Sequence, residues 1–165
     1  MVPIARFTFD TAFGRCALSW REGGLTGFEL PVAPVRAGDH VAPPSWLEPL
    51  IARVRRHLTG DLQDFTDFPY AFDSVAEFPR QVYRATLAVK AGRTASYGVI
   101  AAALGQPPGA SRAVGAALGA NPWPLLVPCH RIVAADGRMT GFSGPGGIKT
   151  KLRLLKLEGT QLFAE

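Results

Sequence analysis

The spacing of apolar residues changes once along the chain, and this change restricts the folds that the chain can adopt. Near the N-terminus, apolar and polar residues alternate over residues 4–9, 15–20 and 25–30. A period of two is typical of strands with one buried face, so these runs, with Gly23-Gly24 before the third, predict an antiparallel meander. After Ser45 the apolar residues recur instead at helical spacing. A sheet followed by helices is therefore expected.

A first helix is predicted from Ser45, its expected N-cap, to Gly60, because the apolar residues between them share one face: Trp46, Leu47, Leu50, Ile51, Val54 and Leu58. The other face is basic and is interpreted as solvated; it carries Arg53, Arg55, Arg56 and His57. Residues 61–73 are expected to add one more strand. Since residues 1–77 pair no nucleophile with a base and show no metal-ligand spacing, they are interpreted as a scaffold domain.

Residues 78–165 are predicted to form a second domain. Helices are expected over residues 78–89, 97–104 and 110–118, and the Gly/Pro-rich turn between the last two suggests a helix-turn-helix. An ordinary helical hairpin is the commoner explanation. Apart from Arg112, however, the third helix is made mainly of small residues, so its backbone could lie close to a partner. The expected fold class is α+β: a small N-terminal domain of antiparallel sheet and helix, then a mostly helical domain with a helix-turn-helix.

Positive charge is concentrated in the second half. Residues 1–77 hold seven Lys/Arg against ten Asp/Glu, a formal charge of −3, whereas residues 78–165 hold eleven against three, a charge of +8. Such a basic half is typical of proteins that meet nucleic acid, although basic surfaces without that function are common. With no run of about 20 apolar residues, no signal-peptide pattern and only two cysteines, the chain is expected in the cytoplasm and not in a membrane.

Chemistry is concentrated in residues 121–131, where Cys129 follows a proline and precedes a histidine. A thiol attacks as its thiolate, and neighbouring groups such as His130 and Arg131 lower the thiol pKa. Residues 125–127 are predicted to form a short buried strand that ends at Pro128, which would place Cys129 where the strand meets a cavity. The alternative is that Cys129 is a small buried hydrophobic residue, since neighbours in sequence need not meet in space.

Five separated blocks of the second half resemble the O6-alkylguanine-DNA alkyltransferases, also called methylated-DNA–protein-cysteine S-methyltransferases. In order they are Ser-Tyr at 96–97, Ser-Arg-Ala-Val-Gly at 111–115, Asn-Pro-x-Pro at 121–124 with Pro-Cys-His-Arg at 128–131, Gly-Phe-Ser-Gly at 141–144, and Lys149 with Leu-Leu-Lys-Leu-Glu-Gly at 154–159. The resemblance implies repair of O6-alkylguanine in duplex DNA, with O4-alkylthymine as an open second substrate. The base would be flipped out, and its alkyl group moved irreversibly to the protein's own cysteine, once per molecule.

The same resemblance implies a monomer whose helix-turn-helix enters the minor groove, where little sequence information is available to bias a search for damage. It implies no cofactor. Some relatives bind zinc in the N-terminal domain, but the ligand residues for such a site are not found in this sequence.

Catalytic roles follow from the resemblance for five residues. Cys129 matches the alkyl acceptor, coupled through water to His130 and Glu158 in the order nucleophile, base and orienting group. Asn121 matches the residue that braces the active-site turn. Tyr97 matches the tyrosine that lies near the flipped guanine and donates a proton as the base leaves.

DNA contacts are expected from Tyr97, Arg112, Ala113, Ser143 and Arg131. Arg112 matches the residue that fills the base stack in place of the extruded nucleotide. Ala113 follows it on the same helix. Ser143 matches the loop that contacts O6 of the base, and Arg131 follows the Cys-His pair.

Two departures from the family pattern concern the pocket. Phe142 stands where several relatives have tyrosine, and Trp123 is bulkier than usual and is expected to reshape the pocket wall. Two other functions stay open as alternatives. A non-catalytic relative that binds alkylated bases would lack the cysteine, and a cysteine hydrolase or acyltransferase of unrelated fold would leave the basic half unexplained.

Overall fold

A three-stranded antiparallel sheet opens the chain in the computed structural model, which describes residues 5–30, 42–136 and 147–160. Its strands are β1 (Ala5–Thr11), β2 (Gly14–Arg21) and β3 (Gly24–Glu29), in the spatial order β1-β2-β3. Phe9 pairs with Cys16 across the first two strands, and both side chains are buried. The predicted meander is confirmed, because alternating apolar residues need one shared buried face.

The first helix, α1 (Glu48–Leu58), follows a 3-10 turn at Ser45–Leu47. The prediction that Ser45 is the N-cap is wrong, because Ser45 lies inside the turn and Leu47 is the N-cap of α1. A proline in the first turn of the helix favours this start, since no intrahelical N–H donor is needed there. At the other end Gly60 has a φ of 98°, so the helix ends where glycine permits a left-handed backbone.

Residues 61–73 pass beside the sheet without forming the expected strand. A single parallel bridge joins Tyr70 to Leu25 of β3, and the N–H of Leu25 donates to the carbonyl of Pro69 (2.8 Å). Proline lacks the N–H that would extend this ladder, so the pairing stops after one bridge. The aromatic side chains of the segment pack into the hydrophobic core instead.

The second half of the chain is mostly helical, as predicted. Its helices are α2 (Glu77–Leu87), α3 (Tyr97–Ala103), α4 (Ser111–Gly119) and α5 (Ile148–Leu157). Two short strands that were not predicted from the sequence, β4 (Ala95–Ser96) and β5 (Ile132–Val133), pair in parallel. Within the described ranges no helix combines the length and apolar character that a bilayer crossing requires.

Helices α3 and α4 form the expected helix-turn-helix pair and pack closely through small residues. A Cβ atom on Gly98 would lie 3.8 Å from Oγ of Ser111, and one on Gly115 would lie 3.8 Å from the ring of Tyr97. Part of the small-residue surface of α4 is therefore used inside the pair. The exposed side chain of Arg112 marks the outward face of the same helix.

Trp123 joins the two halves of the protein. Its ring is fully buried and meets the rings of Tyr70, Phe72 and Tyr83 edge-on, at centroid distances of 5.3, 5.4 and 5.9 Å. Its indole N–H donates to the carbonyl of Leu25 on β3 (3.1 Å). Trp123 therefore lies in the core shared by both halves.

Replacing Trp123 with phenylalanine should lower the free energy of unfolding by about 1–3 kcal/mol, because the hydrogen bond to β3 and part of the aromatic packing are lost. Equilibrium unfolding in urea measures this change. Trp46, which is only half-buried, gives the matched control, and Trp46→Phe should cost less. Equal losses in the two variants would contradict the role of Trp123 as the link between the halves.

Candidate active site

The segment from Asn121 to Pro128 is a series of buried turns, so the prediction of a strand over residues 125–127 is wrong. Asn121 organises these turns with both ends of its amide. Its Nδ2 donates to the carbonyl of Val127 (2.9 Å), and its Oδ1 accepts from the backbone N–H of Trp123 (2.9 Å). Three prolines in the segment remove the N–H donors that a strand would need. The asparagine side chain supplies local bonds in their place.

Cys129 follows a constrained backbone. Leu125 has a φ of 77°, a left-handed conformation that costs a residue other than glycine about 1–3 kcal/mol. Next, the N–H of Cys129 donates to the carbonyl of Val127 (2.7 Å) around Pro128, whose φ of −80° and ψ of 65° are those of an inverse γ-turn. A 3-10 turn, Cys129–Arg131, then leads into β5. The position of the sulfur is therefore set by turns that surrounding contacts hold in place.

Burial raises the pKa of the Cys129 thiol above its usual range, although a hydrogen bond from Asn121 and the positive charge of Lys151 act in the opposite direction. The residue is 8% exposed. This direction is contrary to the expectation from the adjacent His130 and Arg131, because exclusion of water from the site outweighs the effect of neighbouring groups. The resting group is a neutral thiol, so a reaction at sulfur needs a base that removes its proton.

Lys151 is the buried cation beside the thiol. It was not predicted from the sequence, where the family pattern pointed to Lys149, which is exposed. Its side chain is 1% exposed, and its Nζ donates to the carbonyl of Ile132 (2.7 Å). Burial lowers the pKa of Lys151, while the nearby Cys129 raises it. A helical spacing in the sequence could have identified it, because Lys151, Leu154 and Leu155 lie on one face of α5, the two leucines are buried, and Glu158 is the C-cap of the same helix.

The carboxylate of Glu158 lies at the centre of a buried network. Its Oε1 accepts from Nε2 of His130 (2.9 Å) and Nε of Arg131 (2.9 Å), and its Oε2 accepts from Nη2 of Arg131 (2.7 Å) and Nε2 of His57 (2.9 Å). Folding thus joins His130 to Glu158, as the resemblance implied, across 28 positions of sequence. Four donors fill the two carboxylate oxygens.

The hydrogen bonds determine the protonation states of this network. Burial by itself raises the pKa of Glu158, but the bonds from Arg131, His130 and His57 outweigh it and hold that pKa far below its usual range. An ionised carboxylate only accepts, so both imidazoles must present Nε2–H to it. Burial also lowers the pKa of His130, despite the opposing effect of Glu158. Neutral His130 therefore keeps a lone pair on Nδ1, which has no hydrogen-bond partner among the described residues.

Arg131 does not lie where a DNA contact requires it. The residue is 6% exposed, and its guanidinium forms a two-point ion pair with Glu158. Its Nη1 donates to the carbonyl of Val89 (2.7 Å). We therefore correct the prediction that Arg131 binds DNA: a buried carboxylate needs a cation of matching geometry, and arginine provides it.

His57 was interpreted as part of a solvated face, and this interpretation is wrong. The residue is fully buried at the end of α1, where it reaches Glu158, which is 101 positions away in sequence. Val54 follows Leu50 by four residues, and His57 follows Val54 by three. This helical spacing places His57 on the apolar face of α1. The neighbouring Arg55 remains exposed.

The remaining predicted residues lie on or near the helix-turn-helix. Arg112 and Ala113 are exposed on α4. Tyr97 is half-buried at the start of α3, directly after β4, whose parallel pairing with β5 holds it beside the chain that follows Cys129. Ser143 and Phe142 lie outside the described residues. Among the described residues, no group of three or more His, Cys, Asp or Glu side chains is arranged to hold a metal ion.

Replacing Glu158 with glutamine should lower the free energy of unfolding by about 3–5 kcal/mol at pH 7, because Arg131 is left buried without a counter-charge. Unfolding in urea at several pH values measures the loss. The native pKa of Glu158 is depressed, so its stabilisation exists above the unfolded pKa of about 4.3 and is lost as the pH falls below it. The difference in free energy of unfolding between Glu158→Gln and the wild type should therefore shrink as the pH is lowered below about 4.3. A control is Asp10→Asn, which breaks an exposed pair with Arg15 and should cost less than about 1 kcal/mol; losses of equal size would contradict the account.

Comparison with known proteins agrees with this geometry. Residues 77–160 match the sequence profile of the 6-O-methylguanine DNA methyltransferase DNA-binding domain. A methylated-DNA–protein-cysteine methyltransferase of Mycolicibacterium paratuberculosis is 37% identical over 92% of this chain and 90% of its own length. A DNA base-flipping protein of Thermus thermophilus is 43% identical over 64% of this chain and 69% of its own length.

A solved structure extends the likeness to the whole fold. The crystal structure of Mycobacterium tuberculosis OGT in complex with DNA superposes with a TM-score of 0.77 at 34% identity, and the match covers 94% of this chain and 93% of that one. Both halves are therefore shared, including the N-terminal sheet that the sequence blocks did not identify. The chain belongs to the methylated-DNA–protein-cysteine methyltransferase family.

Proposed function

We propose that this chain repairs O6-alkylguanine in double-stranded DNA by transferring the alkyl group to Sγ of its own Cys129, once per molecule. The observation that carries the proposal is the buried thiol beside a His130–Glu158 pair whose free imidazole nitrogen can accept a proton. Relatives similar over most of the chain are named for this activity. We also propose that the protein acts in the cytoplasm, and that residues 78–165 carry the reaction and the DNA contacts.

The transfer is a displacement at carbon. The thiol proton passes, through water, to Nδ1 of His130, and Glu158 stabilises the imidazolium that forms. The sulfur then attacks the alkyl carbon, a C–S bond forms and the C–O6 bond breaks, leaving its electron pair on the guanine. Tyr97 donates a proton to N3 of the departing base, and proton exchange with water then places a proton on N1 in place of N3, which restores guanine in the DNA. The proton taken up by His130 returns through water to the phenolate of Tyr97, so both side chains end neutral. The thioether on Cys129 has no route back to a thiol, so each molecule reacts once.

The target base must leave the duplex before sulfur can reach it. An O6-alkyl group within the stack is shielded by neighbouring bases and by the paired cytosine, and the attack needs sulfur in line with the bond that breaks. Arg112 is the long, exposed side chain on α4 that is suited to occupy the vacated stack. Ala113 beside it allows the helix to approach the groove closely. The net positive charge of residues 78–165 favours contact with phosphates.

The proposal is tested with duplex DNA that carries O6-methylguanine with a radiolabelled methyl group. One label per wild-type protein is expected on the polypeptide, and Cys129→Ala should abolish it. Cys16→Ala should retain it, because Cys16 is buried in the sheet and burial raises its pKa to about 11. Tight DNA binding without label would instead support a non-catalytic binder of alkylated bases, and label that persists in Cys129→Ala would identify a different acceptor.

Arg112→Ala should slow repair in duplex DNA by about 10- to 100-fold, because the cost of holding an unpaired base outside the stack is no longer offset. Reaction with free O6-benzylguanine should change little, since a free base needs no extrusion. Rates of label transfer and of benzyl transfer measure the two effects. Arg56→Ala removes an equal charge from the exposed face of α1 and serves as the control. A loss of equal size on both substrates would argue against the role of Arg112 in extrusion.

A further inference from the structure

His57 connects the N-terminal half directly to the reacting groups. We propose that it is a positioning residue for alkyl transfer, holding the carboxylate of Glu158 in the orientation that His130 requires. This inference rests on the proposed function. It changes the interpretation of residues 1–77, which then supply part of the active machinery as well as a scaffold.

The contacts around the carboxylate of Glu158 are shared evenly between its two oxygens. Arg131 occupies one acceptor position on each carboxylate oxygen, His130 occupies the second position on Oε1, and His57 occupies the second position on Oε2. The two imidazoles thus hold the carboxylate from opposite sides. Without His57, one buried lone pair loses its donor, and the carboxylate can turn about its terminal bond away from His130.

His57 is itself fixed in place by the N-terminal half. Its Nδ1 accepts from the backbone N–H of Gln63 (3.0 Å), so a neutral ring uses both of its nitrogens. Its ring packs against Phe65 at a centroid distance of 5.1 Å, and no part of it is exposed. The direction of its Nε2–H is therefore set by α1 and by the loop that follows the left-handed Gly60.

The orientation of the Glu158 carboxylate affects the base that activates the thiol. His130 can take the thiol proton at Nδ1 only while its Nε2–H remains bound to Glu158, because that bond selects the tautomer. The charged and titratable groups around the carboxylate are Arg131, His130 and His57, and those beside the sulfur include Lys151. Removal of His57 changes the field at His130 as well as its alignment. Both the rate of transfer and its dependence on pH should therefore respond.

Four full-length variants test the proposal. His57→Phe keeps a ring but loses the donor, His57→Gln places an amide N–H near the original Nε2, and His57→Asn can still accept from Gln63 but is too short to reach Glu158. Val54→Ala, on the same helix and fully buried, weakens packing without touching the network. For each, the maximal rate constant of benzyl transfer from saturating O6-benzylguanine is measured from pH 6 to 9, together with duplex DNA affinity.

His57→Phe and His57→Asn should each lower the maximal rate constant by about 10- to 100-fold, the range seen when the outer hydrogen-bond partner of a metal-bound histidine is lost, and should shift the pH of half-maximal rate. His57→Gln should recover most of the rate. DNA affinity should stay unchanged throughout, and Val54→Ala should keep the wild-type pH profile. If His57→Phe does not fold, the maximal rate constants of His57→Gln and His57→Asn still test whether a hydrogen bond to Glu158 is required.

Three results would overturn the proposal. Wild-type rates and pH profiles in His57→Phe would show that the residue has no role in transfer. Equal rates in His57→Gln and His57→Asn would show that a hydrogen bond to Glu158 is not what matters. A pH shift of the same size in Val54→Ala would show that loss of packing alone explains the effect. A wild-type protein that transfers no alkyl group would overturn the proposed function itself. If the wild type transfers the alkyl group and His57→Phe does so equally well, only the role of His57 is overturned and the proposed function stands.

Discussion

The solvation of one buried carboxylate is the constraint on which the rest of the site depends. Removing the charge of Glu158 from water costs several kcal/mol unless other donors replace the water, and four N–H groups from three side chains do so here. Arg131 supplies the opposite charge, and the two histidines supply neutral donors. Because a carboxylate can only accept, His130 is held in the tautomer that leaves Nδ1 available. The need to solvate the Glu158 carboxylate therefore selects the tautomer of His130, and that tautomer allows Nδ1 to act as a base.

The donors that satisfy this carboxylate come from both halves of the chain, and so does the packing around the thiol. The turn before Cys129 contributes Trp123 to a core with aromatic residues of both halves, and the carbonyl of Pro122 accepts from the N–H of Phe28 on β3 (2.8 Å). The backbone that positions the sulfur is thus attached to the N-terminal sheet on one side and to α5 on the other. A sheet with no reactive group of its own still determines where the nucleophile lies.

Periodicity in the sequence was sufficient to predict the meander, the helices and the helix-turn-helix, because each depends on local spacing of apolar residues. It failed where side chains replace backbone pairing or where a polar residue occupies an apolar position. The turns at 121–128 depend on bonds made by Asn121, which no propensity encodes. His57 and Lys151 lie on apolar stripes, yet as polar residues they were assigned to solvent or overlooked. Their partners are distant in sequence, so only the fold could reveal them.

The contacts of β3 also determine whether this edge of the sheet can pair with another molecule. As the outer strand of the sheet, β3 would normally offer free backbone groups to a strand of another molecule. Its outward N–H groups at Leu25 and Phe28 are instead taken by the carbonyls of two prolines, Pro69 and Pro122. Neither proline can donate in return, so intermolecular strand addition finds this edge already occupied. The segment that shapes the reaction centre therefore also covers part of this edge of the sheet, through Pro122.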